Sequence, residues 1–313
     1  MSSKRQHEDV IKFDIVKNRR KFYMLSATIL IVGLICMLVM GLNLGVDFKS
    51  GTRLDIYVGK EFQTADIETL IKENVPNTVF TPVTKYGDKQ DQAQTRFDHT
   101  IPADQLQKLE SALKAKYGDQ VSKQEATVDP SIARELVQKA AIAVAVAGIG
   151  IIIYIAIRFQ FLFGIACIIG LIHDVFIPIA LFSVFRLEVD LTFIAAILTI
   201  VGYSINDTIV IFDRIRENLR TMKSKTVEDL EHLVNVSLWQ TMRRSVFTVG
   251  TVFLTAVAIA VLGSESIRNF SLALIFGLVS GTYSSIFVAA QVWVTLKKRE
   301  LAKKRLSPAP TES

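Results

Sequence analysis

Apolar and polar positions divide the chain into long apolar runs separated by polar segments. Six runs are mostly apolar over roughly 17–25 residues, the length needed to cross a hydrocarbon core. They cover residues 22–42, 137–157, 161–185, 191–212, 246–262 and 270–296. The first run follows a basic segment and has no small-residue cleavage site after it, so we expect a permanent anchor rather than a signal peptide. The pattern predicts a polytopic α-helical membrane protein with six transmembrane helices.

The polar segment 43–136 is the one stretch with the size and polarity of a water-soluble domain. Its apolar residues alternate as in strands, or recur at helical spacing, in the order βαββαβ. Thr64 is a candidate helix cap, and strands are expected over 52–58, 78–86, 95–101 and 121–128. This order is typical of a ferredoxin-like α+β domain, placed between transmembrane helices 1 and 2.

Composition agrees with a membrane protein and also orients it. Half of the residues are apolar and the mean hydropathy is +0.36. Lys and Arg cluster before the first run, after the fourth and after the sixth, whereas the two short loops on the other side carry only Arg186 and Arg268. By the positive-inside rule both termini are cytoplasmic, the domain 43–136 is extracytoplasmic, and the protein is multi-pass in the cell membrane. The net charge of +6 is therefore explained by contacts with membrane lipid, which argues against nucleic acid as a partner.

The domain organisation predicted from these patterns has seven parts. They are a cytoplasmic N-terminus (1–21), transmembrane helix 1 (22–42), the extracytoplasmic domain (43–136), transmembrane helices 2–4 (137–212), a cytoplasmic amphipathic connection (213–245), transmembrane helices 5–6 (246–296) and a cytoplasmic tail (297–313). The connection 213–245 is expected to be helical. It either lies along the membrane surface or is a solvated linker helix.

The sequence contains no HExxH, GxSxG, P-loop or CxxC pattern, so we expect neither an enzyme nor a cofactor. The two cysteines, Cys36 and Cys167, lie inside apolar runs and are expected to be packing residues. The histidines other than His173 lie outside the runs, so no metal site is predicted. Candidate chemistry is therefore confined to polar residues inside the membrane.

The fourth run contains the most costly of these residues, in "GYSINDTIVIFDRIREN". Asp207, which follows Asn206, lies about 9 Å inside the cytoplasmic boundary at 1.5 Å per residue. An ionised carboxylate there costs about 2–3 kcal/mol, and such residues commonly mark ion pathways. Tyr203 and Ser204 share its helical face and offer hydroxyls, and Ile200 continues that face as a close-packing surface. A protonated Asp207 that only hydrogen-bonds a neighbouring helix is the alternative.

Three further places carry polar residues near or inside the apolar runs. His173 and Asp174 lie halfway along the third run, as polar glue between helices or as part of a water or proton path. Arg244 at the start of the fifth run, with its neighbour Arg243, is a surface anchor or a partner that reaches Asp207. After the first run, "GVDFKSGT" predicts a turn that leads into the first strand.

Taken together, "GYSINDTIVIFDRIREN", "GVDFKSGT", "LIHDV" and "WQTMRRS" resemble the SecD/SecF family of protein-export membrane subunits, and its SecF members in particular. The resemblance covers nearly the whole chain. It implies half of a resistance-nodulation-division fold, with SecD supplying the other half. It also implies a role in coupling the proton or sodium motive force to late steps of export, with SecD, the Sec channel subunits and unfolded exported polypeptides as partners.

The resemblance also assigns roles to particular residues. It implies an ion relay of Asp207 and Arg244, which we extend to Asn206. The residues themselves, rather than the resemblance, suggest a polar path or polar contacts between helices at His173, Asp174, Tyr203 and Ser204. The outer-interface motif is Asp47, Phe48, Gly51 and Thr52, and the cytoplasmic motif is Asp213, Arg214, Arg216 and Glu217. Ser50 departs from the family, which more often has Gly there.

Two other functions are compatible with the same residues. A resistance-nodulation-division transporter of small molecules or lipids would also use an intramembrane Asp, but such pumps generally have a much larger outer insertion. A passive scaffold of the channel would tolerate loss of the Asp207 charge.

Overall fold

The computed structural model describes residues 13–76, 78–87, 89–222 and 226–306. The chain forms two compact units. The spanning unit comprises residues 1–43 and 144–313, and the α/β domain comprises residues 44–143. Among the described residues, six helices are long and apolar enough to cross a membrane.

The helices and strands follow in a regular order along the chain. The helices are α1 (Arg19–Met40), α2 (Val46–Lys49), α3 (Thr64–Asn74), α4 (Ala103–Tyr117), α5 (Pro130–Arg158), α6 (Phe161–Val184), α7 (Leu191–Thr221), α8 (Val227–Leu262), α9 (Glu265–Ser284) and α10 (Ala290–Leu306), with a π-helix (Ser285–Ala289) joining α9 to α10. The strands are β1 (Asn43–Leu44), β2 (Gly51–Tyr57), β3 (Thr84–Tyr86), β4 (Gln92–Phe97), β5 (Ser122–Val128) and β6 (Glu188–Val189).

The fourth and fifth spanning helices extend well beyond the apolar runs. Helix α7 continues to Thr221, and α8 begins at Val227 after a capping box in which Thr226 and Asp229 exchange side-chain and backbone hydrogen bonds. The connection 213–245 is helical over most of its described residues, as predicted. It is divided between the end of α7 and the start of α8, because no strong helix breaker separates the apolar runs from the polar residues that follow them.

A stack of aromatic side chains holds one end of the spanning unit together. The Phe163 and Trp293 rings stack with centroids 4.5 Å apart, and Phe212 meets Phe163 at 5.0 Å and Phe159 at 5.9 Å. These four side chains come from α6, α7, α10 and the segment that precedes α6, so the stack joins three spanning helices. Aromatic pairs in this geometry contribute about 0.5–1.5 kcal/mol each beyond the area they bury.

The α/β domain has the predicted order βαββαβ over β2 to β5. Its sheet is antiparallel with strand order β3-β4-β2-β5, in which Thr52 pairs with Phe97 and with Thr127. Helices α3 and α4 cover one face. Their apolar positions and the inward residues of the strands form one core, which includes Leu54, Ile56, Ile67, Ile71, Ala93, Phe97, Leu106, Leu109 and Leu113.

Several local predictions in this domain are wrong, and the strand predicted over 95–101 lies instead at β4 (Gln92–Phe97). Thr64 is the first helical residue of α3, and the cap position before it, Gln63, makes no side-chain capping hydrogen bond. The strand predicted over 78–86 is limited to β3 and an isolated bridge between Phe80 and Phe97. Pro82 explains the interruption, because it has no N–H to donate to a neighbouring strand.

Candidate functional site

A fully buried carboxylate, Asp174, is the centre of a polar cluster inside the spanning unit. Its Oδ2 accepts hydrogen bonds from Ser284, at 2.7 Å, and from Ser204, while its Oδ1 accepts one from Ser280 at 3.2 Å. Asp174 is 0% exposed. These donors come from α7 and α9, so one carboxylate on α6 ties together three spanning helices. Buried polar groups need such partners, because an unpaired one costs several kcal/mol.

His173 lies beside this carboxylate and is also buried. Its Nδ1 lies 3.2 Å from Asp174 Oδ1 and 3.4 Å from the Ser280 hydroxyl, and its ring stacks on Tyr283. Its other nitrogen, Nε2, is buried without a hydrogen-bond partner among the described residues. The structure thus brings His173 and Asp174 into one cluster, although adjacent helical residues point in different directions.

Asp207 lies on α7, 7% exposed. Its Oδ2 is buried and, within the described chain, makes no hydrogen bond. Its carboxylate interacts electrostatically with Arg244 and Asp174, and Ser245 lies beside it. Asp207 and Arg244 form no direct ion pair in the described structure. The carboxylate is therefore close to a cation and to a second carboxylate without being neutralised by a direct contact with either.

Two expected partners of Asp207 lie elsewhere. The Ser204 hydroxyl donates to Asp174 rather than to Asp207. Tyr203 is half-buried and makes no hydrogen bond in the part of the chain described here. The reason is the close approach of α6, which places the Asp174 carboxylate within reach of Ser204, whereas sequence spacing describes only one helix. Ile200 is buried, as expected of a close-packing position.

A cavity of about 540 Å³ lies between α7 and α8, and its lining includes Asn206, the residue before Asp207. Asn206 and Arg244, both exposed, line it. The remaining lining residues are Ile209, Val210, Asp213, Arg214, Glu217, Gln240 and Thr241. Most of these side chains are polar, so the cavity can hold water next to two of the three predicted relay residues.

The cytoplasmic-motif residues of α7 form a network of charged contacts. Arg214 donates to Gln240 of α8 at 2.6 Å and to Glu217 at 2.5 Å. Asp213 pairs with Arg158 at the end of α5 and with Arg216 at 3.4 Å. These contacts tie α7 to α5 and α8 beyond the apolar runs. Their geometry gives the four residues a structural role at this end of α7.

The outer-interface motif lies at the start of the α/β domain. Residues 46–49 form the short helix α2 rather than the predicted simple turn, so Asp47 and Phe48 are helical. Gly51 has φ +108°, and a Cβ there would lie 2.1 Å from the Phe97 carbonyl oxygen. Thr52 is fully buried, and its hydroxyl meets Thr127 at 3.1 Å. This segment thus fixes the entry of the chain into β2.

Sequence reasoning missed the contribution of the sixth spanning helix. Ser280 and Ser284 supply two donors to Asp174, and Ser285, the first residue of the π-helix, meets Thr208 of α7 at 2.8 Å. Small hydroxyl residues clustered in an apolar run, as in "SGTYSS", are typical of helix contacts within a membrane. This pattern in the sequence could therefore have indicated that the sixth spanning helix contacts other helices. A π-helix is frequent at functional sites, but no sequence pattern used here predicts one.

Comparison with known proteins gives the family. The family model described as protein export membrane protein SecD/SecF, C-terminal, matches residues 108–299, and the SecD/SecF GG motif matches residues 37–56. The chain is 44% identical to protein translocase subunit SecF of Alicyclobacillus acidocaldarius, over 93% of this chain and 95% of that protein. It is also 44% identical to protein translocase subunit SecDF of Bacillus subtilis, over 95% of this chain but only 40% of that longer protein.

Solved structures agree. The crystal structure of SecDF from Thermus thermophilus, described as a translocon-associated membrane protein, matches with a TM-score of 0.80 and 32% identity, over 92% of this chain and 39% of that one. SecDF in a super-membrane-facing form matches with a TM-score of 0.61 and 29% identity, over 94% of this chain and 40% of that one. The chain therefore belongs to the SecD/SecF family of protein export membrane proteins and is a SecF-type member of it.

Proposed function

We propose that this chain is the SecF-type subunit of a Sec protein translocase and couples the proton or sodium motive force to late steps of export. The observation that carries the coupling is Asp207, a buried carboxylate within a spanning helix, with an unpaired oxygen and Arg244 close by. A group in this position could exchange an ion with water in the cavity that Asn206 and Arg244 line. Asp207, Arg244 and Asn206 are the proposed ion relay.

The energy available from such a relay is of the right size. One elementary charge that crosses about 100 mV releases about 2.3 kcal/mol. Two conformations of a typical protein differ by a few kcal/mol, so the passage of one or two ions can shift their populations. Movement of Arg244, or entry of water into the cavity, would change whether Asp207 holds its ion. Ion passage would thereby drive the outer domain between two positions.

The partners follow from the same proposal. We infer that a SecD half supplies the second half of the membrane domain, because this chain covers only 40% and 39% of the two SecDF proteins that it matches. Large apolar side chains on α5 and α8, such as Ile157 and Phe247, are exposed in the isolated chain and are available to SecD and lipid. The Sec channel and unfolded exported polypeptides complete the set of partners.

The proposed orientation places both termini in the cytoplasm and the α/β domain, with its ferredoxin-like strand order, on the export side of the cell membrane. It rests on the distribution of Lys and Arg at the span ends. Single cysteines at Ser111 and Thr221, both exposed, test it. An impermeant thiol reagent should label Ser111→Cys in intact cells and Thr221→Cys only after permeabilisation. The reverse pattern would contradict the orientation.

The coupling proposal is tested by export into vesicles that contain the chain with SecD and the Sec channel, with and without an imposed gradient. Asp207→Asn keeps size and polarity but cannot titrate, so it should abolish the gradient-dependent gain while the complex still assembles. Arg244→Met should behave similarly, and Asp207→Glu should retain part of the gain.

Asp190→Asn is the matched control for this experiment. Asp190 lies at the start of the same helix, is equally buried at 7% exposure, and caps α7 by accepting the Phe193 N–H at 2.8 Å. Asn caps helices as well as Asp does, so this variant should keep the gain. If Asp207→Asn also keeps the full gain, the carboxylate is structural and the chain is a scaffold.

A further inference from the structure

The buried His173–Asp174 pair has a feature that packing alone does not require. Nδ1 of His173 lies within hydrogen-bonding distance of Asp174 Oδ1, and an ionised carboxylate can only accept. Nδ1 therefore carries the hydrogen in that state. This leaves Nε2 with a lone pair that is buried and, among the described residues, has no donor. A buried histidine that served only to hold two helices together would be expected to have a hydrogen-bond partner at both ring nitrogens.

From this geometry we propose that His173 and Asp174 form a proton-binding site in the third spanning helix, distinct from Asp207. The proton forms a new N–H bond at His173 Nε2, while the Nδ1–H group stays hydrogen-bonded to Asp174 Oδ1. The product is an imidazolium paired with the carboxylate. Release of the Nε2 proton restores the neutral ring, so the cycle needs no other reactant.

The surroundings of the pair favour this chemistry. Histidine is the side chain that ordinarily changes its charge between pH 5 and 8, and an imidazolium buried in a membrane helix is costly unless a counter-charge is adjacent. Asp174 supplies that charge. When the ring is neutral, the Asp174 carboxylate is stabilised by hydrogen bonds from the hydroxyl groups of Ser204, Ser280 and Ser284.

Few other titratable groups face the pair. On their own helix Cys167 interacts with Asp174, and on α7 Asp207 does so. Helix α9 contributes Tyr283, whose ring stacks on His173. Helix α1 also packs against α6, and its titratable side chains between residues 22 and 40 are Tyr23 and Cys36. Asp174 is thus the counter-charge in direct contact with the imidazole.

The site is placed to act on the sixth spanning helix. Ser284 is the last residue of α9, and the π-helix begins at Ser285. A change of charge on the pair would change the strength of the hydrogen bond from Ser284 to Asp174, at the junction of α9 and the π-helix. A link between this change and export rests on the proposed function, whereas proton binding by the pair does not.

The test is solid-state NMR of the full chain in lipid vesicles, with histidine as the only ¹³C,¹⁵N-labelled residue. The sequence has four histidines, and His173→Gln identifies the His173 signals by their loss. His99 provides an internal control, because its Nδ1 contacts Asp98 at 2.5 Å on an exposed surface. Its signals should be the same in the unmodified chain, in His173→Gln and in Asp174→Asn.

The proposal expects the His173 signals to convert reversibly from the neutral to the cationic pattern as the pH of the samples is lowered stepwise from about 8 to about 5. Asp174→Asn should leave His173 neutral over that range, with His99 unchanged. A single protonation state of His173 throughout, in the unmodified chain, would overturn the proposal even if Asp174→Asn does not fold. Equal titration of His173 in the Asn variant would overturn the role of Asp174.

Discussion

The contact between Gly277 and Ile200 gives a quantitative prediction about how the fourth and sixth spanning helices pack. A Cβ at Gly277 would lie 2.2 Å from Cδ1, 2.3 Å from Cγ1 and 2.7 Å from Cγ2 of Ile200. Carbon atoms in contact are ordinarily about 3.5–4.0 Å apart. Ile200 is 1% exposed, so its side chain cannot turn out into solvent. Gly277→Ala therefore requires the side chain or the two helices to move apart by more than about 1 Å to restore that contact distance.

The cost follows from the balance of two effects. Overpacking of this kind costs about 1–3 kcal/mol, and replacing a helical Gly with Ala returns up to about 1 kcal/mol. We therefore expect Gly277→Ala to lower the free energy of unfolding by about 1–2 kcal/mol. Ile200→Ala should cost about 2–5 kcal/mol through the cavity it leaves. In the double variant the methyl group introduced at position 277 occupies part of that cavity, so the two losses should not add.

The assay is equilibrium unfolding of the purified chain in mixed micelles, measured for both single variants and the double variant. The predicted coupling free energy is about 1–3 kcal/mol in favour of the double variant. Gly202→Ala is the matched control, since nothing lies within 4 Å of a Cβ at Gly202, and its stability should be unchanged or slightly higher. Additive losses, or equal behaviour of Gly277→Ala and Gly202→Ala, would refute the packing argument.

Two further predictions concern the α/β domain. Ser50 has φ +66° and ψ 175°. This backbone region is essentially restricted to Gly and costs another residue about 1–3 kcal/mol, so Ser50→Gly should raise the melting temperature. A lower melting temperature would contradict the backbone strain assigned to Ser50. A hydrogen bond from Lys114 holds the pKa of Glu110 below its ordinary value. The contact between the Glu110 carboxylate and Lys114 therefore stabilises the folded domain fully above a pH of about 4.3, and this contribution is lost as the pH falls through the lowered pKa. At neutral pH, Glu110→Gln should therefore lower the free energy of unfolding by about 0.5 kcal/mol, measured by denaturant unfolding. The difference from the unmodified chain should vanish once the solution is acidic enough to protonate Glu110. A difference independent of pH would contradict this.

Sequence patterns predicted what depends on one segment at a time. The six apolar runs matched six helices because length and hydropathy decide whether a helix can span a bilayer. The order βαββαβ followed from periodicity within each element. In contrast, the end of α7 and the start of α8 lie well beyond the apolar runs, since polar residues such as Arg214 are stabilised there by contacts with other helices.

The candidate site was predicted less completely, for the same physical reason. Asp207, His173 and Asp174 were singled out because ionisable groups in apolar runs are costly, and Arg244 because it lies just before the fifth run, where it could reach Asp207. The partners of Asp174 were not, because Ser280 and Ser284 lie more than 100 residues away and only helix packing brings them together. The assignment of Ser204 to Asp207 was wrong because spacing on one helix does not reveal which neighbouring helix faces it.

The central claim is that ions pass through the membrane at Asp207. Its most direct test is ion flux into vesicles that contain this chain with SecD, driven by an imposed membrane potential and followed with internal pH-sensitive and sodium-sensitive dyes. We predict that the flux of one of these ions is lost in Asp207→Asn and retained in Asp190→Asn. Equal flux in Asp207→Asn and the unmodified chain would contradict the claim.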